Sequence, residues 1–229
     1  MAETHGRAAE VDGRRARGDA SRRLVLANAA DLASVDGLDG LSIGRLAAVA
    51  NVSKSSIATL FGTKQRLQLA TVAAARERFQ ETVIEPARVE PRGIHRLVAL
   101  FDAWIAYSRD RVFPGGCFFG AAQIDVDAKA GPVHDAVAES MLVWDSYLTV
   151  SIGYAIAQGE LAADTDAAQL AFECNALLDT ANGRSVLMNS NAPYVRARRG
   201  LVSRLLAAGA EPGAVAPLAD VDDEAFAAR

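Results

Sequence analysis

Three hydroxyl-bearing residues, Ser42, Ser53 and Thr63, each stand directly before a segment with helical apolar spacing. Ser and Thr are favoured helix N-caps, and a helix N-terminus offers unpaired N–H groups and partial positive charge to an anion. Lys54 and Lys64 follow two of these caps immediately. Between the caps, Lys54, Ser55, Ser56 and Thr59 share the side of a short helix that carries none of its large apolar residues. Short polar side chains on one helix face can approach base edges in a major groove, while the caps and lysines hold phosphate oxygens. The chemistry offered is recognition of a double-stranded polyanion, not bond-making. Simple helix capping is the alternative for any one of these residues, and the cluster as a whole favours recognition.

Such residues must be held by a small helical unit. The segment from Leu41 to Leu67 predicts two short helices joined by a tight turn at Asn51-Val52, with a third beginning after Thr63. Asn tolerates the left-handed conformation that this turn requires. Leu46, Val49, Val52, Ile57 and Phe61 are expected to pack on flanking helices, with Ala47 and Ala50 allowing close crossing. The preceding helix is expected from about Asp19 or Ser21 to Val35, its stripe running through Leu24, Ala27, Ala30 and Ser34, with Val25, Leu26, Ala29 and Leu32 filling the rest of its buried side. Residues 1–18 read as a disordered basic arm, with Arg14, Arg15 and Arg17, then Arg22 and Arg23, available to phosphate. The helix after Thr63 is expected to end near Val83, before Pro86 and Pro91.

The segment resembles the DNA-binding domain of the tetracycline-repressor family of bacterial regulators. The matching residues are Leu46-Ala47, Ala50-Asn51-Val52-Ser53, Phe61 and Thr63-Lys64-Gln65-Arg66-Leu67. Asn51 replaces a usual Gly, Ala58 a common mid-helix aromatic, and Gln65-Arg66 lacks the usual acidic residue. The resemblance implies a homodimer on double-stranded, palindromic operator DNA. It also implies a C-terminal domain whose small-molecule effector releases the DNA, so that the chain acts as a repressor. An all-α enzyme or small-ligand carrier with an incidental helix-turn-helix is the alternative.

Beyond Pro91 the pattern is of longer amphipathic helices, expected at about 93–109, 118–126, 132–158, 166–189 and 193–208. The fold class is therefore all-α, with about nine helices. Residues 19–66 form the helix-turn-helix domain, the helix over about 64–83 links the domains, and residues 84–209 bind effector and dimerise. Residues 210–229 read as a disordered tail. Trp104 and Tyr107, like Trp144 and Tyr147, are spaced to share a helix face. With Cys117, Phe118 and Phe119 they are the candidate lining of a pocket for an apolar or aromatic effector, ordinary core packing being the alternative. Leu170, Cys174, Leu178, Val202 and Leu205 lie on wide small-and-apolar stripes and are the candidate dimer interface.

Composition agrees and excludes other classes. The chain of 229 residues is 51% hydrophobic and 6% aromatic with a net charge of −4. Residues 1–80 hold 12 Lys and Arg against 8 Asp and Glu, whereas the remainder holds 12 against 20. A basic N-terminal third on an acidic remainder suits one face meeting phosphate. There is no apolar run long enough to span a membrane and no signal-peptide pattern, so a cytoplasmic location without membrane association is expected. Cys117 and Cys174 are too few for a disulfide framework. Cys117 as a thiol sensor is the minor reading beside a buried apolar one. His95 and His134 lack neighbours at metal-ligand spacing, no nucleophile motif is present, and neither metal nor cofactor is expected.

Overall fold

The computed structural model describes residues 3–219, with side chains from Gly18 onward. Its elements are α1 (Glu3–Asp36), α2 (Ile43–Val49), α3 (Lys54–Phe61), α4 (Lys64–Phe79), a π-helical segment (Gln80–Ile84) and the short α5 (Glu85–Ala87). These are followed by α6 (Ile94–Arg109), α7 (Phe118–Val126), α8 (Pro132–Ala157), α9 (Ala167–Met188), α10 (Ala192–Ala207) and α11 (Pro212–Ala219). There is no strand among the described residues. None of these helices is long and apolar enough to cross a membrane.

Two apolar cores form. The smaller joins Val25 and Ala29 of α1 to Leu41, Leu46, Ala47, Ala50, Ile57, Phe61 and Leu67. It holds α2 and α3 on α1 and α4, because two helices of 7 and 8 residues cannot bury enough area alone. The larger core takes the opposite sides of α1 and α4, through Ala30, Ala33, Val72 and Ala75, and continues across α6 to α11. α1 and α4 thus contribute to both cores.

The chain departs from the sequence expectation in several places. α1 begins at Glu3, so the expected disordered arm lies largely inside a helix; Arg14, Arg15 and Arg17 lie outside the residues with described side chains. The buried side of α1 holds Val25, Ala29, Ala30, Ala33 and Ser34, whereas Leu24 and Ala27 of the expected stripe are exposed. Val49, the last residue of α2, is also exposed, because the helix turns Leu46 and Ala47 inward and Val49 lies on its other side. The helix after Thr63 does not stop before Pro86. The π segment lets the Glu85 N–H reach the Gln80 carbonyl, and Pro86 then sits in the first turn of α5, where a missing N–H does little harm. The C-terminal tail is partly ordered: α11 buries Val215 and Leu218, while residues 220–229 lie outside the described part.

Candidate functional site

The recognition unit is built by its caps. The Ser53 hydroxyl accepts the Ser56 N–H at 3.0 Å, and the Thr63 hydroxyl accepts the Arg66 N–H at 3.2 Å. Ser42 occupies the expected cap position but accepts no N–H from α2. Asn51 takes φ 53°, the left-handed turn expected of it, and Val52 N–H closes the turn on the Ala47 carbonyl at 3.0 Å. Ile57 and Phe61 anchor α3 in the small core. Lys54, Ser55, Ser56 and Thr59 all lie on its exposed side. The Thr59 hydroxyl donates to the Ser55 carbonyl at 2.9 Å, leaving its oxygen able to accept from a base.

Two cations have structural ties. Lys64 Nζ donates to the Asp39 carbonyl at 2.6 Å, so the lysine expected to hold phosphate also secures the turn between α1 and α2. Arg22 lies 4.7 Å over the Phe61 ring and donates to the Leu60 carbonyl at 3.2 Å. It belongs to the packing of α3 on α1 and not to a free arm.

The larger core contains a cavity of about 150 Å³. Five of the seven candidate pocket residues line it: Trp104, Cys117, Phe119, Trp144 and Tyr147. Tyr107 and Phe118 do not. Phe118 is fully buried, and the buried Tyr107 oxygen accepts the Phe118 N–H at 3.2 Å, so both are core. The i, i+3 spacing that paired Trp104 with Tyr107 places them near one another, but only Trp104 reaches the opening.

The missing walls come from residues without a distinctive sequence signal. Arg76, Phe79, Gln80, Ile84 and Arg88 line the cavity from α4 through the residue after α5. Phe79 makes edge contacts with Tyr107, Phe119 and Trp144, at centroid distances of 5.4, 6.3 and 5.1 Å. It is the ring through which α4 meets α6, α7 and α8. Asn175 and Asp179 of α9 supply a polar wall, and Asn175 Oδ1 accepts from the Trp144 indole N–H at 3.0 Å. Asp179 reaches solvent, yet its apolar surroundings, and next the Asp145 charge, push its carboxyl up to about 6.

Cys117 immediately precedes α7 and faces the cavity, but burial pushes its thiol up to about 11. A thiol so protonated at neutral pH is a poor nucleophile, which removes support from the sensor reading. Its backbone is fixed instead: Asn182 Oδ1 accepts Cys117 N–H at 2.8 Å and the Ser108 hydroxyl at 2.7 Å. Gly116, at φ 86°, is required here, because a Cβ would fall 2.3 Å from that Asn182 oxygen. Gly115 is equally constrained, since its Cβ would lie 1.9 Å from the Ser34 carbonyl oxygen of α1. Neither contact is visible as a motif.

The candidate dimer residues have a different role. Leu170, Cys174, Leu178 and Leu205 are buried inside one protomer, and Val202 packs partly against the same core. Their stripes are used by the contact of α9 with α10, so they cannot also face a partner. The outer side of the pair still carries Phe172, Leu187 and Leu206 exposed, with Ala176 and Gly183 between the first two.

This arrangement, a small helix-turn-helix core sharing two helices with a larger cavity-bearing helical body, can be compared with known proteins. Residues 93–201 match the model of the tetracyclin repressor-like C-terminal domain. That stretch of the chain is similar to the C-terminal domain of tetracycline-repressor-like proteins. The fold is similar to that of a TetR transcriptional regulator from Chloroflexus aurantiacus, with 23% identity, a TM-score of 0.75, and coverage of 83% of this chain and 94% of that one. It is also similar to a TetR-family regulator from Cytophaga hutchinsonii, with 20% identity, a TM-score of 0.73, and coverage of 84% and 96%. A third similar structure is AibR in complex with isovaleryl coenzyme A and operator DNA, with 18% identity, a TM-score of 0.58, and coverage of 71% and 85%. No curated protein matches the chain by sequence.

Proposed function

We propose that this chain is a TetR-family regulator, a repressor that binds a palindromic operator as a homodimer and is released by a small molecule. The observation that carries the reading is that α4 belongs to both sites. Its first turn packs Leu67 into the small core with Ile57 and Phe61 of α3, and its last turn, with the π segment, walls the cavity through Arg76, Phe79 and Gln80. A ligand that separates Phe79 from Trp144 or Phe119 therefore acts on the helix that carries the reading head. To release DNA it must bind the released arrangement better; a difference of about 2–3 kcal/mol weakens DNA binding roughly 30–150-fold.

In this reading Lys54, Ser55, Ser56 and Thr59 enter the major groove, with Ser42, Ser53 and Lys64 toward phosphate. The exposed outer face of α9 and α10, and not the buried stripes, meets the second copy. A two-fold dimer sets two copies of α3 about one helical turn of DNA, roughly 34 Å, or a larger spacing apart. AibR, bound to operator DNA and an acyl-coenzyme A, supports the pairing of these two kinds of partner. An intracellular, cytoplasmic site of action accompanies the reading.

The test is titration of the full chain with DNA from upstream of its own gene, competed by random DNA, alongside sedimentation. Specific binding by a dimer supports the proposal. Equal affinity for random DNA, or specific binding by a monomer, overturns it. Leu187→Glu is expected to weaken the dimer and the operator complex together.

A further inference from the structure

Four arginines stand at or near the cavity. Arg76 and Arg88 line it directly, and Arg88 and Tyr147 also line a neighbouring groove with Arg92 and Arg96. Cavity and groove are thus neighbours that share Arg88 and Tyr147 as lining residues. Among the described residues, none of Arg76, Arg88, Arg92 and Arg96 forms an ion pair. Arg88, Arg92 and Arg96 stand so in the part of the chain where acidic residues outnumber basic ones.

The groove is also held in shape. Arg96 donates to the Glu90 carbonyl at 2.8 Å and to the Arg88 carbonyl at 3.3 Å, fixing the loop that bears Arg88 and Arg92. Arg92 lies 4.9 Å over the Tyr154 ring and donates to its hydroxyl at 3.2 Å. The Glu160 carboxylate is engaged at the start of α6, where it accepts the Ile94 N–H at 2.7 Å. The one carboxyl lining the cavity is Asp179 of α9, with Asp145 of α8 near it. The lining charge is thus divided by element: the carboxyl comes from α9, the guanidinium groups from α4, the loop after α5 and the start of α6.

We infer that the effector is an amphipathic anion: a small apolar group seated under Trp144 and Phe119, joined to a carboxylate- or phosphate-bearing end that leaves past Arg88 into the Arg92–Arg96 groove. The inference rests on the effector reading above and assigns its ligand class. An apolar cavity of about 150 Å³ is large enough for a six-carbon ring. Guanidinium groups suit planar, bidentate pairing with carboxylate or phosphate. An ammonium ligand would instead need to pass this basic rim to reach Asp179.

The test compares probes sharing a six-carbon body: hexanoate, hexyl phosphate, hexanoyl-coenzyme A, hexanol and hexylamine, measured by calorimetry on the full chain. The anions are expected to bind about tenfold tighter than hexanol or hexylamine, and less tightly as salt rises. Arg88→Gln is expected to weaken all three anions about fivefold without changing hexanol. Arg92→Gln distinguishes the sources: loss confined to hexanoyl-coenzyme A and hexyl phosphate assigns a phosphorylated handle, whereas equal loss on hexanoate assigns a simple acid. Hexylamine or hexanol binding as tightly as the anions overturns the inference, as does the absence of anion binding at millimolar concentration. An anion that binds through Arg88 but leaves the DNA complex intact keeps the ligand class and overturns the release mechanism instead.

Discussion

Lys129 Nζ lies 2.8 Å from Asp39 Oδ2 and so ties the segment after α7 to the turn between α1 and α2. The same lysine meets Asp125 at 3.1 Å, and Asp125 Oδ2 accepts the Asp39 N–H at 2.8 Å. Gln68 of α4 donates to Asp39 Oδ1 at 3.1 Å and to the Leu38 carbonyl at 2.9 Å. These contacts hold the Asp39 carboxyl below its ordinary range, the Lys129 hydrogen bond being the largest cause. One end of α7 therefore borders the cavity while the other grips the turn that leads to α2.

Asp125→Ala is expected to loosen that turn without unfolding the chain, because the contact is at the surface. Hydrogen exchange should quicken at Asp39 and leave the Leu46 amide, within the small core, unchanged. An unchanged rate at Asp39 would show that the clasp does not restrain the turn.

On DNA, Lys54→Ala and Thr59→Val should separate in kind. Removing Lys54 weakens specific and random DNA alike and lowers the salt slope by about 0.9 for each phosphate it no longer neutralises. Replacing the Thr59 hydroxyl by a methyl alters base preference, by about 1–3 kcal/mol at one position. Equal losses for Thr59→Val on specific and random DNA would remove it from the reading face.

Phe79→Ala should be among the more damaging substitutions in the chain. It empties the meeting point of α4, α6, α7 and α8 and is expected to lower stability by about 3–5 kcal/mol in denaturant unfolding. A loss below about 1 kcal/mol would mean that the surrounding rings collapse into the space.

Neither cysteine should react with an aromatic disulfide reagent at neutral pH while the chain is folded. Burial raises Cys117 to about 11 and Cys174 to about 12, so both remain thiols. Both should label once denaturant is added. Labelling of native Cys117 within minutes would reopen its role as a sensor.

Asp179 makes a pH prediction. Its carboxyl titrates near 6 in the folded chain instead of 3.8, so folding strengthens its hold on the proton. The associated stabilisation is complete below about pH 4 and is lost as pH rises through 6. Asp179→Asn should remove that part of the decline and stabilise the chain at pH 7. The gain should be about 1 kcal/mol or less, because the side chain reaches solvent and the full shift does not convert. A stability profile with an unchanged slope between pH 4 and 6 would contradict the assignment.

Local chemistry was legible in the sequence because its signals act over a few residues. Ser53 and Thr63 cap the helices expected of them, Asn51 takes the left-handed turn, and Ile57 and Phe61 point inward as their spacing requires. The all-α class and the family resemblance follow from the same short-range pattern. Tertiary packing decided which side of a wide apolar stripe is used. Leu170, Cys174 and Leu178 look equally suited to a partner copy or to α10, and only the protomer's own packing assigns them inward. It likewise separated Trp104, which opens on the cavity, from Tyr107, and brought Arg76, Arg88 and Asp179 to one cavity from α4, the α5 loop and α9. The helix-turn-helix of Leu41–Leu67 is a local object and could be read from its residues. The cavity is made by helices distant in sequence, whose meeting depends on close approaches such as Gly115 to Ser34 that no periodicity records.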